Sequence, residues 1–520
     1  MTQSKQIESS IKQYVALLAD LKVLAQPEAA AAIADAPIVF ATCDSREVVP
    51  STLFVCKGAA FKREYLLSAI EDGAVCYVSE VDYDAPIPCL LVTDIRKAMG
   101  AIADFAWGHP SGKIDICAFT GTKGKTTSVY YLKGILDAQA RAADTHAAAM
   151  FSSIEMDDGL THGESKLTTP EPFDLERHLA NAVASGAQYV AMEASSQALK
   201  YGRTFGVEFA VGAFTNIGED HISPIEHPTF EDYFASKLLL FKHCQTAVVN
   251  LDMDHADKVY ASARSRCERV LTYSLEHEQA DVFGGGMRRV DNGIVLTVRT
   301  PRFEREILIP TPVKFNVSNA LGAIACAEAL GIDEECIVHG LEDVMVPGRM
   351  NLYPTQSGRI VGVVDFAHNG MSLETLLRDL RGNYPDRELC VVFGATGGKG
   401  MDRRETMGVA AGKFADRIVI TEDDPGPEDP EDICATIAHF IEEQGNHNWQ
   451  IEVDRETAIR KAVFETERPA VVIVTGKGVE TEMKRKNGAE PCETDGVMLR
   501  RALDEFEARA MSQSWQSTRS

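Results

Sequence analysis

The ten residues Ala118-Phe-Thr-Gly-Thr-Lys-Gly-Lys-Thr-Thr127 have the types and spacing of a phosphate cradle. A hydrophobic run (Ile114, Ile116, Cys117, Ala118, Phe119) leads into them, and a helical pattern (Val129, Tyr130, Leu132, Ile135, Leu136) follows. Glycine lets backbone N–H groups approach phosphate oxygens, Lys125 can reach the terminal phosphates, and the Thr126 hydroxyl suits Mg²⁺. Gly121 and Gly124 enclose only Thr122 and Lys123, and position 119 is Phe, so the loop is a shortened variant of the common phosphate loop. Two later segments carry further chemistry. Met192-Glu193-Ala194-Ser195-Ser196 places a carboxylate and two hydroxyls after a hydrophobic run; Glu193 suits Mg²⁺, and the serines read equally well as helix caps. Phe214-Thr-Asn-Ile-Gly-Glu-Asp220-His221 could complete a metal site, and Lys237 lies in a helical stretch beyond it. Taken alone, Lys237 reads as a solvated surface lysine.

These groups need elements to hold them. Ile7, Ile11, Tyr14, Val15, Leu18 and Leu21 recur at helical spacing and predict an amphipathic first helix. Short apolar runs at 38–41, 53–55, 75–78 and 90–92 predict a small α/β domain ending near Gly108 and Gly112. From Ile114 to about Val346 the pattern is strand, phosphate loop, helix, then buried strands at 189–192, 211–214 and 247–250, with antiparallel-like alternation over 280–310. After Arg349, apolar strands at 360–364, 389–393, 417–420 and 471–474 alternate with helical segments, as in an open parallel sheet. Ligands gather beyond the carboxyl ends of such strands. Here those ends read Asp365-Phe-Ala-His368, Gly394-Ala-Thr-Gly-Gly-Lys399, Asp423-Asp-Pro-Gly426 and Gly476-Lys-Gly-Val-Glu480.

Composition narrows the class. A chain of 520 residues exceeds what one core serves, so several domains are expected. Its 12 cysteines include no Cys-x-x-Cys pair, which argues against zinc and a disulfide framework and for a reducing cytoplasm. A net charge of −25 argues against nucleic acid and anionic membranes as partners. No apolar run predicts a membrane-spanning helix, and residues 1–10 lack a signal-peptide pattern.

In combination the motifs resemble the Mur ligase family. The likeness rests on the loop at 121–127, Glu193-Ala-Ser-Ser, Asn216-Ile-Gly-Glu-Asp-His221 with Lys237 sixteen residues later, Asn250-Leu-Asp252 and Phe315-Asn-Val-Ser-Asn319. Pro347-Gly-Arg349, Asp365-Phe-Ala-His368 and Gly476-Lys-Gly478 complete it. Asp44-Ser-Arg46 and Thr168-Thr-Pro170 make it most like the branch that joins an amino acid to UDP-MurNAc-L-Ala-D-Glu. The resemblance implies an α/β protein of three domains: a UDP-MurNAc-binding domain (1–112), a central ATP-binding domain with a mostly parallel sheet (113–346), and a Rossmann-like amino-acid-binding domain (347–520). It implies a cytoplasmic bacterial ligase, a monomer, that uses ATP and two Mg²⁺ ions to make an acyl phosphate and then an amide. The three domains would have to converge, hinged near residues 346–349.

By resemblance, Gly121, Thr122, Lys123, Gly124, Lys125, Thr126 and Thr127 hold the triphosphate, and Asn316, Arg349 and Asp365 contact the nucleotide, with His368 in the same segment. Thr126, Glu193 and His221 match Mg²⁺ ligands, and Lys237 matches a lysine that the family carbamylates to N6-carboxylysine. Ser45, Thr168, Thr169, Ser195 and Arg203 match contacts to the nucleotide dipeptide, whereas Tyr201 departs from the Gln of some relatives. Lys399, Asp423, Asp424, Pro425, Gly426, Gly476 and Glu480 fall where the free amino acid is bound. Relatives that add meso-diaminopimelate carry Asp-Asn-Pro-Arg where this chain has Asp423-Asp-Pro-Gly426; loss of the Arg clamp and a second Asp point to L-lysine, then L-ornithine. Asp-Asp-Pro-Gly also reads as a plain turn, and Val479 replaces the usual His before Glu480. Folylpolyglutamate- or cyanophycin-type synthesis would keep the fold but not the Asp44-Ser-Arg46 module, and a nucleotide-operated switch would have no use for Glu193, His221 and Lys237.

Overall fold

The computed structural model describes residues 4–517 apart from 59–60, 220–221, 224–225, 291–292, 343 and 399. Its chain divides into two compact units: residues 1–288, 295–309 and 318–344, and residues 289–294, 310–317 and 345–520.

The first unit opens with the helix Ile11–Asp20, which buries Ile11, Tyr14, Val15 and Leu18. The periodicity placed Ile7 on this helix, but Ile7 lies before it and is exposed. Extended Ser10 caps the helix instead, its N–H donating to Gln13 Oε1 at 2.9 Å, because Ser9–Ser10 pairs with Pro37–Ile38 and cannot also be helical. Four parallel strands follow (Phe40–Thr42, Thr52–Val55, Ala74–Ser79, Cys89–Leu91). Leu53, Val55, Cys76 and Val78 pack with Tyr14, Leu18 and Ile102 in a core of their own.

The larger sheet of this unit has Tyr189–Glu193, Asp115–Thr120, Phe209–Phe214, Cys244–Asn250 and Arg269–Ser274 side by side and parallel at its centre. Most residues of these strands are buried, which explains their largely apolar sequence. Beyond them, Gly293–Arg299 alternates buried and half-buried residues, the pattern read from 280–310. The helix Lys125–Ala142 follows Asp115–Thr120 directly, with Gly124 as its cap at φ +81°. A Cβ there would stand 2.2 Å from Asn319 Oδ1, so both the backbone angle and the space require glycine.

The second unit is a six-stranded sheet in the order Asn351–Pro354, Ile360–Asp365, Ala470–Thr475, Glu388–Phe393, Arg417–Ile420, Trp449–Ile451. All pairs are parallel except the first. Helices Gly370–Asn383, Asp402–Phe414 and Pro430–Glu442 share one core with it, and Arg455–Phe464 and the start of Asp495–Ser517 share another. The last strand in sequence thus inserts between the first two parallel ones. The carboxyl ends of adjacent strands then carry Asp365, Gly476 and Gly394, where ligands of open α/β sheets bind. The fold is α/β with mostly parallel sheets. Among the described residues no helix is long and apolar enough to cross a membrane.

Candidate active site

The phosphate loop is held from below by the strand end after Phe209–Phe214. Thr122 N–H donates to the Asn216 carbonyl (3.0 Å), and Lys123 N–H donates to Asn216 Oδ1 (2.8 Å). The Thr215 hydroxyl and Asn216 Nδ2 both donate to the Lys123 carbonyl at 2.9 Å. These side chains tie down backbone groups of the loop. Lys125 Nζ donates to the Gly121 and Thr122 carbonyls at 3.0 and 3.3 Å, which curls the ammonium back over the loop.

In the first turn of the helix, Thr126 meets the acidic strand end. Its Oγ donates to Glu193 Oε1 at 2.9 Å, and the same oxygen accepts from Ser153 N–H at 2.7 Å. Ser153 Oγ lies 3.0 Å from Thr126 Oγ. Glu193 is 1% exposed, so this carboxylate sits in a nearly dry corner among hard oxygen donors, chemistry suited to Mg²⁺. His221, the remaining expected ligand, and its neighbour Asp220 lie outside the described residues.

Lys237 contradicts its reading as a solvated lysine. It is 1% exposed, and its Nζ donates to the Gly121 carbonyl at 2.7 Å and stands 4.5 Å from the Tyr233 ring. The helix Phe230–Leu238 thereby delivers a second amine to the carbonyl that Lys125 already uses. Two amines thus meet at one carbonyl.

The expected dipeptide contacts gather beside Glu193. Thr169 Oγ donates to the Glu193 carbonyl (2.9 Å) and accepts from Ser195 N–H (3.0 Å). Arg203 donates to the Thr169 carbonyl (3.2 Å) and pairs through Nε with Glu171 (2.8 Å), which also pairs with Lys57. Half-buried Thr168 adjoins Thr169 in the chain. Ser45 stands apart, opening the short turn Ser45–Glu47 that Asp44 caps; hydrogen bonds from Arg46 hold the Asp44 carboxyl below its ordinary range. Arg177, on the helix Pro172–Ser185, reaches Glu47 of that turn at 3.5 Å.

In the second unit, Asp365 accepts from the Met350 and Ala367 N–H groups, each at 2.9 Å, and Arg349 stacks 4.4 Å above the Phe366 ring. His368 Nδ1 lies 2.8 Å from the Phe366 carbonyl, and buried Asn316 donates to Thr311 Oγ at 3.3 Å. The turn expected to face an amino acid is largely self-satisfied. Asp424, at φ +45°, accepts from Lys477 Nζ (2.7 Å) and from Lys484 N–H and Nζ (both 3.0 Å). Burial alone would raise its carboxyl, but these lysines outweigh burial and hold it below the ordinary value. The second Asp, expected to supply negative charge to an ammonium, is thus neutralised within the chain. Glu480 shares Lys477 at 2.6 Å. Pro425 carbonyl oxygen packs where a Cβ on Gly397 would fall, and Gly426 N–H donates to the Lys484 carbonyl at 2.9 Å. Lys399 lies outside the described residues.

Asp423 differs from its neighbour. Burial pushes its carboxyl up to about 6, against the pull of Arg455 and Lys477. A Cβ on Gly476 would stand 2.3 Å from Asp423 Oδ2, so glycine is what admits the carboxylate. An unfolded Asp titrates near 3.9, so between about 4 and 6 the folded chain binds more protons, and stability falls as pH rises through that window. Relative to Asp423→Asn, the wild type should therefore lose on the order of 3 kcal/mol across it, read from paired melting curves. A constant gap between the two curves would show that Asp423 titrates normally.

Sequence reasoning missed Ser153, Thr215, Lys484, Arg455 and Asp495. The last two form a buried pair at 2.7 Å, and Asp495 also accepts from Gly478 N–H, fixing the Gly476-Lys-Gly loop. A lone Ser, Thr or Lys far away in the chain gives no local signal.

Comparison with known proteins agrees with this geometry. The Mur ligase middle domain matches residues 119–327, and the Mur ligase glutamate ligase domain matches residues 348–478. A UDP-N-acetylmuramoyl-L-alanyl-D-glutamate–L-lysine ligase of Streptococcus thermophilus is 39% identical over 84% of this chain and 87% of its own. The protein of that name from Enterococcus faecalis is 37% identical over 86% and 88%. Among solved structures, a UDP-N-acetylmuramoyl-L-alanyl-D-glutamate–2,6-diaminopimelate ligase superposes with a TM-score of 0.65 at 26% identity, covering 91% of this chain and 96% of that one. MurF ligase from Thermotoga maritima in complex with ADP shares the fold, with a TM-score of 0.59 at 16% identity over 90% of this chain and 98% of that one. By these matches the chain belongs to the Mur ligase family.

Proposed function

We propose that the protein is an ATP-dependent amide ligase that adds L-lysine to the D-Glu carboxylate of UDP-MurNAc-L-Ala-D-Glu, in the bacterial cytoplasm, for peptidoglycan precursor synthesis. One observation carries the reaction type: a phosphate loop is hydrogen-bonded through Thr126 to a buried carboxylate that lies beside a turn of exchangeable polar contacts (Thr169, Ser195, Arg203). The choice of lysine is supported by relatives named L-lysine ligase that match this chain over most of its length.

The reaction brings two anions together. An acceptor carboxylate oxygen attacks the γ-phosphorus, an O–P bond forms, and the bond to ADP breaks. The amine nitrogen of lysine then attacks the acyl carbon, a C–N bond forms, phosphate leaves, and the nitrogen gives up its proton. Loop N–H groups and Lys125 offset the negative charge that builds on the transferring phosphoryl group. Arg203 and Ser195 orient the acceptor. Thr126 and Glu193, with His221, would hold Mg²⁺, which when bound neutralises phosphate oxygens. Lys237 acts as N6-carboxylysine: carbon dioxide adds to its neutral amine, a proton leaves, and the buried cation becomes an anion. Asn316, Arg349 and Asp365 contact the nucleotide, and the 423–426 turn with Gly476 and Glu480 frames the free amino acid. Because Asp424 is matched by Lys477 and Lys484, selectivity in this turn comes from what position 426 lacks rather than from a free acidic charge.

A panel of lysine, ornithine and meso-diaminopimelate tests the substrate, with product mass as the readout. Lysine should give the highest kcat/KM, and a preference for diaminopimelate would overturn the assignment. Among the described residues a Cβ at Gly426 would meet only the Gly397 carbonyl, at 3.7 Å, and would carry the strain of φ +59°. Gly426→Arg should shift the lysine-to-diaminopimelate ratio of kcat/KM towards diaminopimelate by roughly 10-fold or more, the worth of one bidentate carboxylate pair. An unchanged ratio would remove this turn from the choice.

A further inference from the structure

We propose that His227 is a positioning residue that locks the acceptor side of the site to the helix carrying Lys237, an inference that rests on the ligase reading above. His227 is wholly buried, and both ring nitrogens are engaged. Nδ1 lies 2.7 Å from Asp232 Oδ2, and Nε2 lies 3.0 Å from Ser196 Oγ. In the neutral ring whose Nδ1–H goes to Asp232, Nε2 accepts from the Ser196 hydroxyl.

The two partners belong to different parts of the site. Ser196 begins the helix Ser196–Lys200, whose cap is Ser195 and whose preceding strand ends at Glu193. Asp232 lies one turn before Lys237 in the helix Phe230–Leu238. The imidazole is therefore a rigid spacer between the turn that holds the acceptor and the amine that sits on Gly121. Lys200 reinforces the same link, pairing with Asp232 at 2.6 Å and donating to the Glu226 carbonyl at 3.3 Å. Tyr233 closes the side of the ring, edge to face at 5.2 Å. His227 also ends the segment that follows His221, where its carbonyl accepts from Ser223 N–H at 2.9 Å.

The phosphate loop is reached by Tyr233, whose hydroxyl donates to Thr122 Oγ at 3.2 Å, and by Lys237 on the Gly121 carbonyl, whereas the bonds of His227 itself run to Ser196 and Asp232, so the role predicts a split between substrates. Without the spacer, Ser195 and Glu193 drift relative to Lys237, and misplacement of about 1 Å costs on the order of 10²-fold in rate. The loop's own supports, Thr215 and Asn216, remain, so ATP binds as before.

Steady-state kinetics on the full chain, with equilibrium titration of ATP, test this. His227→Ala should lower kcat/KM for the nucleotide dipeptide by roughly 30- to 100-fold, with ATP affinity within about 3-fold of wild type. Ser196→Ala removes one hydroxyl and should cost about 5- to 10-fold. The double variant should be no worse than His227→Ala, since the hydroxyl then has nothing to meet. His227→Gln, which can still reach Ser196, should recover part of the loss. Multiplying losses in the double variant, a matching fall in ATP affinity, or wild-type acceptor kinetics in His227→Ala would overturn the proposal. If His227→Ala does not fold, the single Ser196→Ala and its pairing with His227→Gln decide: no loss in Ser196→Ala, or fully multiplying losses, overturns it. A wild-type chain that forms no amide with any amino acid would instead sink the ligase reading itself.

Discussion

Replacing Lys237 by alanine should lower amide formation by at least about 10²-fold while leaving ATP binding within a few-fold, because the residue acts on charge at the reacting centre. Lys237 is almost fully buried, with its Nζ 2.7 Å from the Gly121 carbonyl and 4.5 Å from the Tyr233 ring. As N6-carboxylysine it would present oxygen instead of charge-rich nitrogen to its surroundings. The variant should therefore regain activity when acetate or formate is added, since a small carboxylate can enter the space left behind. Turnover measured with and without the additive checks both halves. Wild-type turnover in Lys237→Ala would remove the residue from the mechanism, and a dead enzyme that no carboxylate revives would count against the carbamate.

The second large effect concerns Glu193. Glu193→Gln keeps an oxygen to accept from Ser153 N–H and Thr126 Oγ, now at 2.7 and 2.9 Å, but removes the charge. Its fold should survive, with a melting temperature close to wild type, because Ser153 N–H and the Thr126 hydroxyl keep their acceptor. Its kcat should fall by about 10²- to 10³-fold, the usual cost of removing one preorganised electrostatic group. Glu193→Ala separates shape from charge: it leaves Ser153 N–H without its partner and should destabilise the fold by about 1–3 kcal/mol as well. Equal activity in the wild type and Glu193→Gln would mean that the carboxylate is merely structural.

Much of this was readable from the chain because parallel strands buried on both faces write themselves as apolar runs. The strands Ile360–Asp365, Glu388–Phe393, Arg417–Ile420 and Ala470–Thr475 are buried throughout and stood out for that reason. The edge strands Asn351–Pro354 and Trp449–Ile451 and the hairpin Glu482–Arg485 with Gly488–Pro491 are only partly buried or exposed, and no pattern announced them. The phosphate loop was legible because glycine spacing is a local property. What was not legible is who meets whom across the fold. Asn319 fills the space beside Gly124, Ser153 completes the Glu193 corner, and Lys477 and Lys484 neutralise Asp424 from more than fifty residues away. Asp424 looked like a spare negative charge in the sequence precisely because its counter-ions are distant in the chain. The burial of Lys237 was likewise hidden, since a lone lysine on a helix has no sequence mark for the face it occupies.

The central claim is that the γ-phosphate is aimed at a carboxylate rather than at water. Phosphate release by the purified chain, followed with ATP and Mg²⁺ while the nucleotide dipeptide and lysine are supplied separately and together, tests it most directly. Release should be slow with either one alone and rise steeply with both, one phosphate for each amide formed. Fast ATP hydrolysis indifferent to the dipeptide and the amino acid would contradict the account.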